Sequence, residues 1–360
     1  MKIENTTGLV AEAIPFKGPD RKAFLTVVVK GTFVMPDGGT AFPAEEQTPI
    51  TYGDEPFDKE DGGSIRFESD LAPFKPRADV IVVGHAHAPG GKPVTGIDVS
   101  LRIDSLQKVL RVFGDRVWQG GAFSGGQPSP PTPFLKMPLV YERAFGGIDT
   151  AGGGFCARNL VGCGFFKRPT KKSVLGTRLP NIEDPRQPIR TPKDQPRPAG
   201  YGVYGRAWEP RVGFLGTYDD NYRKNIAPDP PPDFKYDYFN AAHPDLQLPG
   251  YLNGDESVEL INLSPEGTLN FRLPGLLPSC EVTKTFETLE AYLETLDPGT
   301  VDRGRLGDVM TGDETPPLNL DTLYLMPDEK RVVMVWRGRT PVYDHTALEV
   351  GTVKIGFRGA

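Results

Sequence analysis

Cysteine is scarce in this chain: Cys156, Cys163 and Cys280 are the three among 360 residues. An odd, sparse set does not make a disulfide framework, so a reducing cytoplasm is the expected location. Long apolar runs are missing too. No stretch of 18 apolar residues offers a membrane-spanning helix. The N-terminal MKIENTTGLVAEAIPF lacks the uninterrupted apolar run of a signal peptide. Nor is there an excess of positive charge. Net charge is −6, so binding to nucleic acid or an anionic membrane through the whole surface is not expected. Several enzyme signatures are absent: the Walker phosphate loop, a Gly-x-Gly-x-x-Gly between strand and helix, and a Gly-x-Ser-x-Gly elbow. No cofactor is implied.

Glycine and proline, in contrast, make up 79 of the 360 residues, well above their usual share of about 12%. Both disfavour helix interiors, so the chain predicts a mainly β fold. We expect antiparallel, sandwich-like sheets, long ordered Pro/Gly-rich loops and one or two short helices. The length suggests two packed subdomains: an antiparallel β part over residues 1–134, and a loop-rich β part over 135–360 packed on it as one continuous unit.

Lys22 to Met35 is β-branched and aromatic, and with Leu9 to Phe16 it predicts a hairpin closed by KGPD. Ala78 to Ala88 is a continuous apolar run that reads as one strand buried on both faces. Ile97, Val99, Leu101 and Ile103 then alternate with polar residues. Asp79 to Trp118 therefore predicts an antiparallel meander. Ser257 to Leu263 and Thr268 to Leu273 predict a second hairpin, and Glu287 to Leu296 has an apolar stripe at helical spacing.

An apolar strand at Met137–Tyr141 runs into Glu142, Arg143, Phe145, Gly146, Gly147 and Asp149, then three more glycines. Glycine reaches positive φ without steric cost and lets other groups approach the main chain. Tyr141, Glu142, Arg143, Gly146, Gly147 and Asp149 are accordingly read as a structural junction. In it, Glu142 and Arg143 are expected to be ion-paired and at least half buried.

Four other places in the sequence offer functional groups. His85 and His87, two apart on a strand, can put two imidazoles on one metal. The third ligand would come from His243, His345 or a carboxylate. The alternative is a strand end entering the Ala88–Gly91 turn, and no metal is assigned. Glu142 with Asp149, or with Asp219 and Asp220, could supply the two carboxylates of a β-rich carbohydrate hydrolase, and Glu256 is a further carboxylate that could face the same cleft. Cys156 and Cys163 lack a recognisable histidine partner. Lys167, Arg168, Lys171 and Lys172 form a basic run that suits a solvated loop or an acidic partner.

Ten stretches in order resemble one family: VVVKGTFVMPDG (27–38), FKPRADVIVVGHAHAPGG (74–91), VFGDRVW (112–118), MPLVYERAFGGID (137–149), NLVGCGF (159–165), LPNIEDP (179–185), WEPRVGFLGTYD (208–219), PPDFKYDYFNAAHPDLQ (231–247), LNGDESVELINLSPEGTLNFRLPG (252–275) and DTLYLMPDEKRVVMVWRG (321–338). The family is the bacterial domain of unknown function 2169, which accompanies type VI secretion toxins as adaptor or chaperone proteins. Leu160 departs from it, because proline is commoner after the asparagine there. Residues 287–309 do not match well. The resemblance implies a non-enzymatic protein that binds a toxin effector, or its PAAR-like tip domain, and helps load it onto the secretion spike. It implies no catalytic residues. Aromatic and apolar loop residues that would meet such a partner are Phe145, Ile148, Trp208, Phe214, Tyr218, Phe234, Tyr236 and Tyr238, with core packing as the competing role. A hydrolase, or a baseplate-like structural component, remains the alternative.

Overall fold

In a computed structural model of the chain, residues 1–57, 63–120, 126–285, 311–343, 346–347 and 349–358 are described. The protein is mainly β, with 41% of residues in strands against 9% in helices, and the sheets are mostly antiparallel. Two short α-helices, Lys171–Val174 and Asp220–Asn225, are capped by Thr170 and Asp219.

The longest strand, Ala23–Val34, shows why the largest sheet forms. Its β-branched and aromatic residues are buried on both faces, and the ladders to Val10–Lys17 and Arg331–Pro341 satisfy its backbone on both edges. The sheet then continues through Asn319–Met326, Ala78–Val82 and Gln247–Leu248. A second sheet, of five strands, runs Ile182–Glu183, Leu106–Phe113, Gly96–Ile103, Ser257–Ile261, Thr268–Arg272. A third joins Lys2–Asn5, Val350–Phe357, Pro278–Thr285 and Thr311–Glu314. One apolar core joins all three, from Val29 and Leu325 through Leu101 and Leu260 to Val282 and Ile355. Strands from both sides of residue 134 share the largest sheet.

Both predicted hairpins form, at 10–34 and 257–272. The predicted meander does not form as one sheet. The apolar run beginning at Ala78 stops at Val82, and His85–His87 turns away to pair with Lys136–Pro138. Ala78–Val82 is buried at every position, as a central strand should be. Its partner, however, is the parallel strand Asn319–Met326, with Asp79 opposite Thr322. Only Gly96–Ile103 and Leu106–Phe113 form a hairpin, and it lies in the second sheet. Periodicity within a strand reports burial, not which distant strand it meets. The helix expected over Glu287–Leu296 lies outside the described residues.

Loops rich in proline have few amide donors, yet their carbonyls still need partners when buried. Buried cations supply them. Lys30 Nζ donates to the Pro49 carbonyl at 2.9 Å and pairs with Asp70 at 2.7 Å. Arg116 reaches Pro180 O at 2.6 Å and Glu183 at 2.5 Å. Arg211 donates to Tyr204 O at 2.5 Å and Tyr238 O at 2.7 Å, and pairs with Glu68 at 2.6 Å. Arg337 donates to Asp70 O at 2.8 Å and pairs with Asp321. Lys284 joins Pro341 O at 2.6 Å to Glu314 at 2.7 Å.

Asp79 does the same work with the opposite charge. It is fully buried, pairs with Lys75 at 2.8 Å, and accepts from the Asn240 side chain and from the Ala241 and Ala242 amides at 2.8–3.1 Å. Asp79→Ala would strand the buried Lys75 ammonium and is expected to cost about 3–5 kcal/mol in urea unfolding. Asp98→Ala, which breaks an ion pair left nearly half exposed with Arg111, is expected to cost at most about 1 kcal/mol.

Candidate partner-binding site

The segment after Leu139 opens with a 3-10 turn, Tyr141–Arg143. Tyr141 is buried, edge-on to Tyr204 at 5.5 Å and to Trp208 at 5.1 Å between ring centroids. The rings lie directly on glycine: a Cβ on Gly200 would be 2.7 Å from the Tyr141 ring, and one on Gly205 would be 2.6 Å from the Trp208 ring.

Glu142 and Arg143 are both partly buried but are not paired with each other. Arg143 pairs with Asp115 at 3.2 Å and donates to the Asn181 side-chain oxygen at 3.0 Å. The Glu142 carboxylate accepts from the Ser64 amide and hydroxyl, each at 2.5 Å. Among the described residues it has no cationic partner. This corrects the expected ion pairing of Glu142: a serine amide and hydroxyl satisfy both carboxylate oxygens where a cation was expected.

Next the chain enters the glycine loop. Gly147 adopts φ +94°, and a Cβ there would lie 2.3 Å from the Gly162 carbonyl oxygen. Its amide donates to Asn159 O at 2.8 Å, and its carbonyl accepts from the Cys156 amide at 2.9 Å. A Cβ on Gly146 would meet Asn159 O at 2.4 Å. Asn159 is fully buried, and its side-chain amide donates to the Tyr141 and Phe145 carbonyls at 2.9 and 3.0 Å. Phe145–Gly146 pairs in parallel with Cys163–Gly164.

Ile148–Asp149 then pairs antiparallel with Gly154–Phe155 in a small hairpin. Asp149 locks it, accepting from the Gly152 amide at 2.7 Å and the Lys167 amide at 2.9 Å. The Gly152 amide is the main reason its carboxyl is held below the ordinary value, against an opposing effect of burial. Ile148 and Phe155 face each other across the hairpin at 66% and 60% exposure. Cross-strand partners share one face of a sheet, so the two form one apolar tip on a hydrogen-bonded base.

The other candidate contact residues are placed differently. Phe145 is buried with Trp118, Phe166, Val174 and Leu179, and Trp208 is buried in the Tyr141 stack. Neither has surface to offer. Phe214, Phe234, Tyr236 and Tyr238 are half buried, and the last three pack with Phe239. Tyr218 is exposed and leans on Tyr222 at 4.5 Å. Phe155 escaped the sequence reading. Its signal was an apolar residue matching Ile148 across a glycine turn.

The outer edge strand of the largest sheet, Val10–Lys17, is poorly suited to capturing another strand. The Ala13 amide is taken by the Glu12 carboxylate at 3.0 Å. Pro15, two residues on and so on the same outward side, has no amide to offer.

The histidine pair meets a carboxylate from the far end of the chain. His85 Nδ1 and His87 Nε2 each lie 2.6 Å from one oxygen of Asp328, and Lys136 lies 3.6 Å away. Among the described residues, no group of three or more His, Cys, Asp and Glu is arranged to hold a metal ion. His243 is used elsewhere, 3.0 Å from both Lys108 Nζ and the Pro198 carbonyl. Burial first, and then the Lys108 charge, push its pKa down to about 3. His345 lies outside the described residues.

Of the candidate hydrolytic carboxylates, Glu142, Asp149, Asp219 and Glu256 are committed to the backbone. Asp219 accepts from the Tyr222 amide at 2.8 Å, and Glu256 accepts from Asn253 and Gly254 at 2.6 and 2.9 Å. Asp220 is exposed beside Arg223. None of these carboxylates, nor Glu142 or Asp149, lines the surface cavity of about 540 Å³ over Arg102, Glu259 and Asn270. Burial pushes the Cys163 thiol up to about 11, so it is not a thiolate nucleophile at neutral pH.

The fold and this loop define a mainly β protein that carries an exposed apolar tip on a hydrogen-bonded hairpin. The chain belongs to the family described as "Uncharacterized protein conserved in bacteria (DUF2169)", whose family model matches residues 20–337 and so includes the whole loop. No curated protein matches the chain, and no solved structure does. No helix among the described residues is long and apolar enough to cross a membrane.

Gly147→Ala places a side chain at positive φ against a carbonyl, and we expect a loss of more than about 2 kcal/mol in urea unfolding. Asp328 gives a pH dependence. Burial would raise its pKa, but the hydrogen bonds from His85 and His87 outweigh that and bring it from 3.8 to about 2. A depressed carboxyl stabilises the fold above its unfolded pKa, and this is lost as pH falls through the folded value. Thermal unfolding between pH 4 and pH 2 should therefore show a steeper loss in the wild type than in Asp328→Asn, which lacks the titrating group. Equal slopes would contradict the bridging role of Asp328.

Proposed function

We propose that the protein is a non-enzymatic adaptor or chaperone of the bacterial cytoplasm. It binds a type VI secretion toxin effector, or its PAAR-like tip domain, and helps load it onto the secretion spike. The observation that carries this reading is the exposed Ile148–Phe155 pair on a loop fixed by Asn159 and Asp149. Exposed apolar side chains lose nothing by meeting a partner, and a pre-ordered loop has little conformational entropy left to lose. Family membership across residues 20–337 is in keeping with it, as is the ordered set of stretches that resemble the adaptor family. The hydrolase alternative has less support, because Glu142, Asp149, Asp219 and Glu256 already accept hydrogen bonds from backbone amides. Junction residues Tyr141, Glu142, Arg143, Gly146, Gly147 and Asp149 act in this reading by holding the loop, not by touching the effector.

Co-expression with the toxin encoded beside the gene tests the proposal. The two proteins are expected to co-purify through a tag on either one, and deletion of the gene is expected to stop secretion of that toxin. A toxin that never co-purifies and is secreted normally without this protein would end the adaptor reading.

A further inference from the structure

We propose that the hairpin tip and the basic segment beside it form the docking surface. The partner segment it receives is acidic and carries large apolar side chains. This rests on the adaptor reading in taking the partner to be a protein.

Between Thr150 and Ile182 the chain has six basic residues and no acidic one, within a protein of net charge −6. Lys167, Arg168, Lys171 and Lys172 are exposed. Among the described residues, none of these four side chains is ion-paired. Elsewhere in this protein exposed cations commonly have acidic partners, as Arg111 has Asp98 and Lys354 has Glu281.

Lys167 is also fixed beside the tip. The Lys167 amide is bonded to Asp149, and the Lys167 side chain lies along Gly154, where a Cβ would be 2.7 Å from its Cδ. Lys171 and Lys172 follow within five residues, on the Thr170-capped helix. Ile148 and Phe155 thus stand on the hairpin that Lys167 is bonded to, and Lys167 is the first residue of a run of unneutralised positive charge.

Charge selects the occupant. An extended polyanion such as nucleic acid or an anionic membrane reaches past this cluster and comes within the screening length, about 8 Å, of the surrounding surface of a protein whose net charge is −6. A short acidic segment docked at the tip meets only the local cations. The apolar pair fixes where it docks, and the cations fix the sign of what docks.

The test places a photo-reactive phenylalanine analogue at position 155 of the full chain, in the bacterium that carries the gene, with the same analogue in place of Leu277, an exposed apolar residue outside the 148–172 segment, as control. The expected result is a cross-link from position 155 to one protein, at a segment that mass spectrometry shows to be net negative and to carry apolar residues. Lys167→Glu, Lys171→Glu and Lys172→Glu combined should reduce that product by about tenfold or more without shifting the unfolding midpoint. Lys→Arg at the same three positions should retain it. The proposal is overturned by a missing 155-specific product, by a product with nucleic acid or lipid, by a segment without acidic residues, or by indifference to charge reversal. The adaptor reading is judged separately. A cross-linked protein other than the neighbouring toxin contradicts that reading and leaves the surface standing. A toxin that co-purifies but cross-links only from position 277 overturns the surface and leaves the adaptor reading intact.

Discussion

Buried backbone carbonyls in proline-rich loops are the constraint on which this structure depends. A sheet satisfies its own carbonyls, and a loop with few amides does not. Here long cationic side chains, each held by an acid, donate to buried carbonyls: Lys30 and Lys284 from strands to Pro49 and Pro341, Arg116 from a connecting segment to Pro180, and Arg211 from a 3-10 turn to Tyr204 and Tyr238. Each pair is expensive to desolvate, and removing one partner costs more than the pair contributes. That asymmetry makes them specificity devices. A loop that strays leaves a buried charge without its acceptor, so one loop arrangement is strongly preferred.

The glycine loop applies the same logic with uncharged groups. Asn159 reaches two carbonyls of the chain it faces, and Gly146 and Gly147 make room by having no side chain. Asp149 closes the hairpin by accepting amides from both Gly152 and Lys167. The consequence is an apolar tip whose support is internal to the loop. Ile148 and Phe155 are exposed because the backbone beneath them is already satisfied, not because the segment is loose.

Much of the architecture was legible in local pattern. KGPD between β-branched runs announces the first hairpin, and alternation at Ile97–Ile103 announces a half-buried strand. Long-range pairing was not legible. Ala78–Val82 carries no mark of Asn319–Met326, and the bond of His85 and His87 to Asp328 spans some 240 residues. Within the loop, residue type gave charge without partner: Arg143 found an aspartate, whereas Glu142 found Ser64. Aromatic residues were the weakest guide. Phe145 and Trp208 are as aromatic as Phe155, and only backbone geometry separates a core ring from an exposed one.

A rigid loop presenting an apolar tip is the central claim, and amide hydrogen exchange on the free protein measures it directly. The amides of Gly147, Gly152, Cys156 and Lys167 each donate inside the loop. They are expected to exchange slowly, on the scale of the strand amides beneath them, while the Ile148 and Phe155 side chains stay solvent-exposed. Adding the bound partner should slow exchange across 148–172 further and leave the opposite sheets unchanged. Immediate exchange of those four amides in the free protein would contradict the claim, because the tip would then be ordered only by binding.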